Sequence, residues 1–239
     1  MHKIHRKMLA RAADRMAMLL FDLLAYLKAY RFAEVKTPKE TDDFNALNQE
    51  AGFLFPPDIE TRIKPYKDGG VCLIAYHHRQ VAGIVRLADP AVANRPFDLY
   101  GVDAEGRYFE IQNLLVAPAY RDGSQFVMIG LFRAMYAYSR QHHITSWISC
   151  STRNVYRTMR RYNKNIQVLE VDFSNTNNPV TRYLYEHNIF DTCYTMQVAD
   201  FSPWKIFVKH LKYKVQNAQI IPLLKFKISD HESFSYRSK

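Results

Sequence analysis

The stretch FEIQNLLVAPAYRDGSQF, Phe109 to Phe126, decides the fold. It opens as an apolar, β-forming run that carries Glu110 inside it, so a strand is expected over residues 107–116. Pro118 breaks the run, and RDGSQF then presents Arg121 with two small residues, Gly123 and Ser124. VMIGLFRAMYAYS follows with apolar residues at helical spacing, giving a helix from about Gln125 to His142. A strand that turns directly into a helix is a ready anion site. The first helical amides have no intrahelical acceptor, the helix dipole adds partial positive charge, and Arg121 supplies a countercharge.

Working outward towards the C-terminus, ITSWISCS reads as a strand, RNVYRTMRRY as a short helix and IQVLEVDF as a further strand. NPVTRYLYEHN is a helix with Pro179 near its start, where proline is tolerated, and FDTCYTMQVADF alternates as a strand. On the N-terminal side, GGVCLIAYHHRQVAGIVRLA is a hairpin whose runs, Val71–Tyr76 and Val81–Leu87, flank a turn at His77–Gln80. The segment holding Pro90, Pro96, Gly101 and Gly106 is expected to be a loop or short hairpin. FNALNQEAGFLFPPD reads as a short helix ended by Gly52 and then by Pro56-Pro57.

Met8, Ala12, Met16, Leu19, Leu20, Leu23 and Leu27 recur at three- and four-residue steps, so residues 5–31 should form an amphipathic helix. Lys3, Arg6, Lys7, Arg11 and Arg15 crowd its start. The helix either packs on the main body or docks a carrier protein or membrane. The element order gives an α/β fold with a mixed, largely antiparallel sheet flanked by helices. The expected division is an N-terminal helical extension over 1–36, a central domain over 37–200 and a basic C-terminal extension over 201–239.

The chain has 239 residues, 48% of them hydrophobic, a formal charge of +10 and a pI near 9.4. That excludes a disordered chain and points to an acidic partner: nucleic acid, anionic lipid, an acidic carrier protein or a phosphorylated cofactor. Cys72, Cys150 and Cys193 are too scattered for a disulfide framework or a zinc motif, and the histidines show no metal spacing, so no metal is expected. A reducing, cytoplasmic compartment fits. The N-terminus imitates a signal peptide, but Arg11, Asp14, Arg15 and Asp22 interrupt its apolar run. RNVYRTMRR and WKIFVKHLKYKVQNAQIIPLLKFK interleave cations with aromatics, which suits peripheral contact at the inner face of a membrane. Nucleic acid is not expected, because no recognition motif accompanies that charge.

LLVAPAYRDGS, with Val116, Pro118 and Arg121 in register, resembles the acyl-donor motif of the GCN5-related N-acetyltransferase (GNAT) superfamily. The resemblance implies a donor-phosphate loop over Arg121, Asp122, Gly123, Ser124, Gln125 and Phe126. Ser124 and Phe126 stand where the family has small residues. The bulk of Phe126 there favours a donor with one phosphate, acyl carrier protein, over the pyrophosphate of acyl-CoA. NALNQEAGFLFPPD, VCLIAYHHRQVAGIVRL, YFEIQNLLVAPAYR and GLFRAMYAYSRQHHI together resemble N-acyl amino acid synthases and acyl-homoserine-lactone synthases over roughly residues 44–150.

These likenesses imply transfer of an acyl group, of longer chain, from an acyl-phosphopantetheine donor to the amine of an amino-acid-like small molecule. By the same resemblance Glu110 is the general base, and the amides of Leu115 and Val116 polarise the thioester carbonyl. Arg86 and Asn113 face the acceptor; Asn113 stands where the family has arginine. The acid for the leaving thiolate has two candidates. LEVDFSNTNNPVTRYLYEHNIF offers Tyr185 with Asn178 on the pantetheine arm, the pair the motif favours. ISCSTRNVYRTMRRY offers Tyr162 with Asn154, the pair that chain order favours. Two other readings stand beside this one: acetyl-CoA-dependent acetylation of a protein or peptide amine, and a non-catalytic module that holds carrier protein, lipid or RNA.

Overall fold

The structure, a computed structural model, describes residues 2–51, 55–64, 69–92, 95–100, 106–121, 125–163, 165–171 and 178–217. The N-terminal apolar repeat forms α1 (His2–Leu27), which stops short of residue 31. Ala29 takes a left-handed φ of 55°, which ends helical geometry. The chain then enters β1 (Tyr30–Glu34), a strand that overlaps the last two residues of the expected helix.

The next helix, α2 (Pro38–Ala51), is started by a reciprocal cap. The Glu40 amide donates to Thr37 Oγ1 at 3.2 Å, and the Glu40 carboxylate accepts from the amides of Lys36 at 3.0 Å and Thr37 at 3.2 Å. Arg31 of β1 adds an ion pair at 3.0 Å. The Lys36 amide, followed by the Arg31 guanidinium, holds the Glu40 carboxyl down at about 2. The Pro56-Pro57 pair is a start as well as a stop: Pro57 opens α3 (Pro57–Ile63), where a missing N–H costs nothing.

The hairpin forms as β2 (Val71–His77) and β3 (Gln80–Ala88). The proline- and glycine-bearing segment after it, read as a loop or short hairpin, contains α4 (Arg95–Tyr100). Then come β4 (Phe109–Val116), a 3₁₀ turn at Pro118–Tyr120 and α5 (Phe126–Gln141). They are followed by β5 (Ser146–Ser151), α6 (Arg153–Tyr162), β6 (Gln167–Leu169), α7 (Pro179–Glu186), β7 (Thr192–Gln197) and α8 (Pro203–Asn217).

The seven strands form one sheet in the order β1-β2-β3-β4-β5-β7-β6. Every neighbouring pair is antiparallel except β4 and β5, which α5 joins as a parallel crossover. One face carries Val85, Leu87, Ile111, Trp147 and Tyr194 into a core shared with α1, α5, α6 and α8. The other face carries Ile74, Ile84 and Ile148 against α2, α3, α4 and α7. Both expected extensions pack on the central domain. β1 is the edge strand of the sheet, and Ala17, Phe21, Ala25, Ile206 and Phe207 are buried in the main core. Asp14 ties the two ends together, accepting from Ser202 Oγ at 2.8 Å and from the Trp204 amide at 3.1 Å.

Candidate active site

β4 and β5 are paired only at their first residues, Phe109 with Trp147 and Glu110 with Ile148. Beyond that point β4 takes in one extra residue. Between the pairs Ile84–Leu115 and Arg86–Gln112, three steps along β4 face two along β3. Asn113 lies inside this bulge with φ +50°, a conformation that asparagine tolerates better than most side chains. The bulge bends β4, its partnership with β5 ends, and a cavity of about 280 Å³ opens between the strands. Gln112, Asn113, Leu114 and Leu115 form one wall, and Ser149, Cys150, Ser151 and Thr152 the other. Val155 and Met159 of α6 close one end, while Phe55, Leu184 and Phe190 close the other.

Glu110 lies just before the bulge and is 2% exposed. Gln112, buried beside it, donates from Nε2 to Glu110 Oε2 at 2.6 Å, a short charge-assisted bond. Gln112 therefore presents a carboxylate-anchored amide to the cavity, with Glu110 immediately behind it. Arg86 is the cross-strand partner of Gln112 and shares its face of the sheet. Its guanidinium donates to the Gly69 carbonyl from Nε at 3.2 Å and Nη2 at 2.5 Å. It also lines a second cavity of about 340 Å³ with Glu34, Phe44, Asn45 and Cys72. Asn113 lines the first cavity and Arg86 the second, so the two expected acceptor residues stand on adjacent chambers.

At the other end of the bulge the backbone is sorted by strand geometry. The Ala117 amide donates to the Ala82 carbonyl at 2.9 Å. Antiparallel alternation then turns the Leu115 amide towards β3 and the Val116 amide towards the side where β5 has departed. Of the two amides expected to polarise a thioester, Val116's is the one on the open side. The Val116 carbonyl points the same way and accepts from Arg121 Nε at 2.8 Å, which fixes the exposed guanidinium at the end of β4. Asp122, Gly123 and Ser124 lie outside the described residues. Gln125 caps α5 in the left-handed region, φ 54° and ψ 25°. Its Oε1 accepts from the Tyr162 hydroxyl.

The Phe126 side chain turns into the core. Its ring is buried, stacked on Phe21 with centroids 4.8 Å apart and tilted against Tyr30 and Phe32. At the first position of α5 the side chain falls on the core face, while the backbone amide stays with the helix end. The steric reason for preferring a single-phosphate donor is thereby removed.

Neither candidate acid lines the cavity, and the two differ in burial. Tyr162 ends α6, the helix that directly follows β5, and is buried; burial pushes its hydroxyl up to about 12. Tyr185 is 44% exposed and does not line the cavity, although its neighbour Leu184 does. Asn178 caps α7, its Oδ1 accepting from the amides of Val180 at 2.9 Å and Thr181 at 3.4 Å, while Asn154 is exposed at the start of α6. Sequence reasoning missed Gln112, Ser149 and Ser151. Alternation could have found Gln112, which lies two residues from Glu110 and so on the same face; the serines depend on a strand separation that no local signal encodes. Among the described residues, no group of three or more His, Cys, Asp or Glu side chains could hold a metal ion.

No protein-family model matches the chain, and no curated protein matches it in sequence. Solved structures do. FeeM, an N-acyl amino acid synthase from uncultured soil microbes, is similar at 11% identity over 73% of this chain and 92% of that one, with a TM-score of 0.53. Two acyl-homoserine lactone synthases are also similar. LasI matches at 11% identity over 75% of this chain and 94% of its own, with a TM-score of 0.49. The CoA-dependent BjaI matches at 16% identity over 71% and 77%, also with a TM-score of 0.49. At 11% identity the likeness to FeeM fixes the fold. The chain has the GNAT fold, a mixed and mostly antiparallel sheet opened between β4 and β5.

Proposed function

We propose that this protein is an N-acyltransferase, moving an acyl group from a phosphopantetheine thioester to the amine of an amino-acid-like small molecule. The observation that carries the reading is the opened β4–β5 seam. It brings a buried, amide-anchored carboxylate and a turn able to hold phosphate to the two ends of one bulged strand. The resemblance of the sequence to N-acyl amino acid synthases, and the shared fold with one of them, support the acceptor class.

In this reading the donor's phosphate rests on the first turn of α5 beside Arg121, and its pantetheine arm runs into the cavity between the strands. The thioester carbonyl reaches the outward amide of Val116, which stabilises the developing oxyanion. The acceptor amine enters from the Gln112 side and loses its proton to Glu110 by way of one water held against Gln112. The amine nitrogen bonds to the acyl carbon, the C–S bond breaks, and the thiolate takes a proton. Tyr162, kept neutral by burial and standing on the donor side, is the acid.

The donor is acyl carrier protein or acyl-CoA; the +10 charge favours the acidic carrier protein through electrostatic docking. The test is thiol release from matched acyl donors on both carriers, with a panel of amino acids, followed by mass spectrometry of the product. An N-acyl amino acid supports the proposal. Turnover only with acetyl-CoA and a peptide amine would replace it with the peptide-acetyltransferase reading, and donor binding with no turnover on any acceptor would leave a silent binding module.

A further inference from the structure

An apolar stripe runs along the outside of α1. Leu9, Met16, Leu19, Leu23, Tyr26 and Leu27 are each more than half exposed. At 3.6 residues per turn they fall within about 100° of arc and extend for about 27 Å. The opposite side of the same helix, with Ala17, Phe21 and Ala25, is buried in the core. α1 is thus apolar on two sides, and tertiary packing uses one of them. A contiguous exposed row of this length marks a contact surface, because isolated apolar residues are scattered on ordinary surfaces.

The charges around the stripe decide what it meets. The helix has two carboxylates, and both are engaged elsewhere: Asp14 with Ser202 and Trp204, and Asp22 with Arg133. Arg15 is exposed on the border of the stripe, and Arg11, one turn before it, is exposed on the same flank of the helix. A second copy of the chain would set these cations against their own kind, which costs free energy at an interface. Anionic headgroups complement them, while the leucines and Met16 enter the acyl boundary beneath and Tyr26 sits at the interface with its ring half in each phase. Among the described residues no helix is long and apolar enough to cross a membrane, so the contact lies in the plane of the surface.

We propose that the outer face of α1 docks the protein on an anionic lipid bilayer. The full chain should co-sediment with vesicles of equal parts phosphatidylglycerol and phosphatidylcholine, and much less with phosphatidylcholine alone. Raising the salt should weaken the binding. Leu19→Ser with Leu23→Ser should reduce partitioning about ten- to a hundredfold, since each leucine's burial is lost. Arg11→Glu with Arg15→Glu should abolish the preference for anionic vesicles. Both variants change exposed positions outside the acyl-transfer site, so melting temperature and turnover on soluble substrates should match the parent. Equal binding of parent and leucine variant overturns the proposal. So does a salt-independent dimer that the leucine variant dissolves, or capture of acyl carrier protein by this face in place of vesicles.

Discussion

Replacing Glu110 by glutamine separates chemistry from architecture. Glu110 is 2% exposed and accepts a 2.6 Å bond from Gln112. The substitution keeps the volume and leaves an amide oxygen for Gln112, so a charge-assisted bond becomes a neutral one, a loss of about 1 kcal/mol. Removing a buried anion offsets part of that loss. The net change in melting temperature should therefore stay below about 4 °C for a chain of this size. Turnover should fall roughly 10²–10⁴-fold, because a general base contributes that much, equivalent to about 2.7–5.5 kcal/mol on the barrier. The assay is steady-state thiol release with the preferred donor and acceptor, alongside thermal unfolding and equilibrium donor binding, which should not change. Full turnover with unaltered melting would refute the base assignment. A large melting loss with a proportionate activity loss would make Glu110 a structural carboxylate.

Arg121→Ala should raise the donor's dissociation constant by about one to two decades, and Arg121→Lys should recover part of it, since an ammonium cannot reproduce the guanidinium fork held by Val116; titration calorimetry with a non-hydrolysable donor reads both. Tyr162→Phe should slow turnover without weakening donor binding. Because burial raises the Tyr162 hydroxyl from its ordinary 10 to about 12, its contribution to stability is complete below pH 10 and is lost as pH rises towards 12; alkaline unfolding curves should show the phenylalanine variant free of that loss. Asn113→Val should cost roughly 1–2 kcal/mol, or about 2–8 °C in melting temperature, since a β-branched residue is strained at φ +50°, whereas Asn113→Gly should be tolerated. Glu40→Gln should remove an acid sensitivity: with the Glu40 carboxyl held at about 2, its cap stabilises the fold above the ordinary carboxylate range and is lost as pH falls from 4.5 towards 2, which an acid titration by circular dichroism follows.

Much of the fold was written in local pattern. The apolar runs either side of His77–Gln80 gave the β2–β3 hairpin, and the apolar run into Pro118 gave β4 and the start of α5. Where the sequence misled, non-local forces decided. Tyr30–Glu34 follows an unbroken helical repeat, and its identity as a strand comes from pairing with β2 some forty residues on. The α4 segment carries Pro96, which reads as a breaker yet sits in the first turn of a helix, where proline fits. At the site, Glu110 and Arg121 were singled out by the resemblance of their motif, which is local in sequence. The bulge at Asn113 was not, because an extra residue shows only against a partner strand. Phe126 was misread for a related reason: its place in the turn was legible, but the direction of its ring depends on α1 and β1 folding over it.

The seam between β4 and β5 has a mechanical consequence. The sheet consists of two panels, β1 to β4 and β5 with β7 and β6, stitched directly by two residue pairs and bridged by α5. On the far side, α1 leads into the first panel and α8 leaves the second, and Asp14 buckles them together through Ser202 and Trp204. These bonds join the helix that enters the first panel to the helix that leaves the second, behind the seam. Since a displacement of about 1 Å can cost a hundredfold in rate, the reaction proposed above would depend on contacts that touch neither substrate.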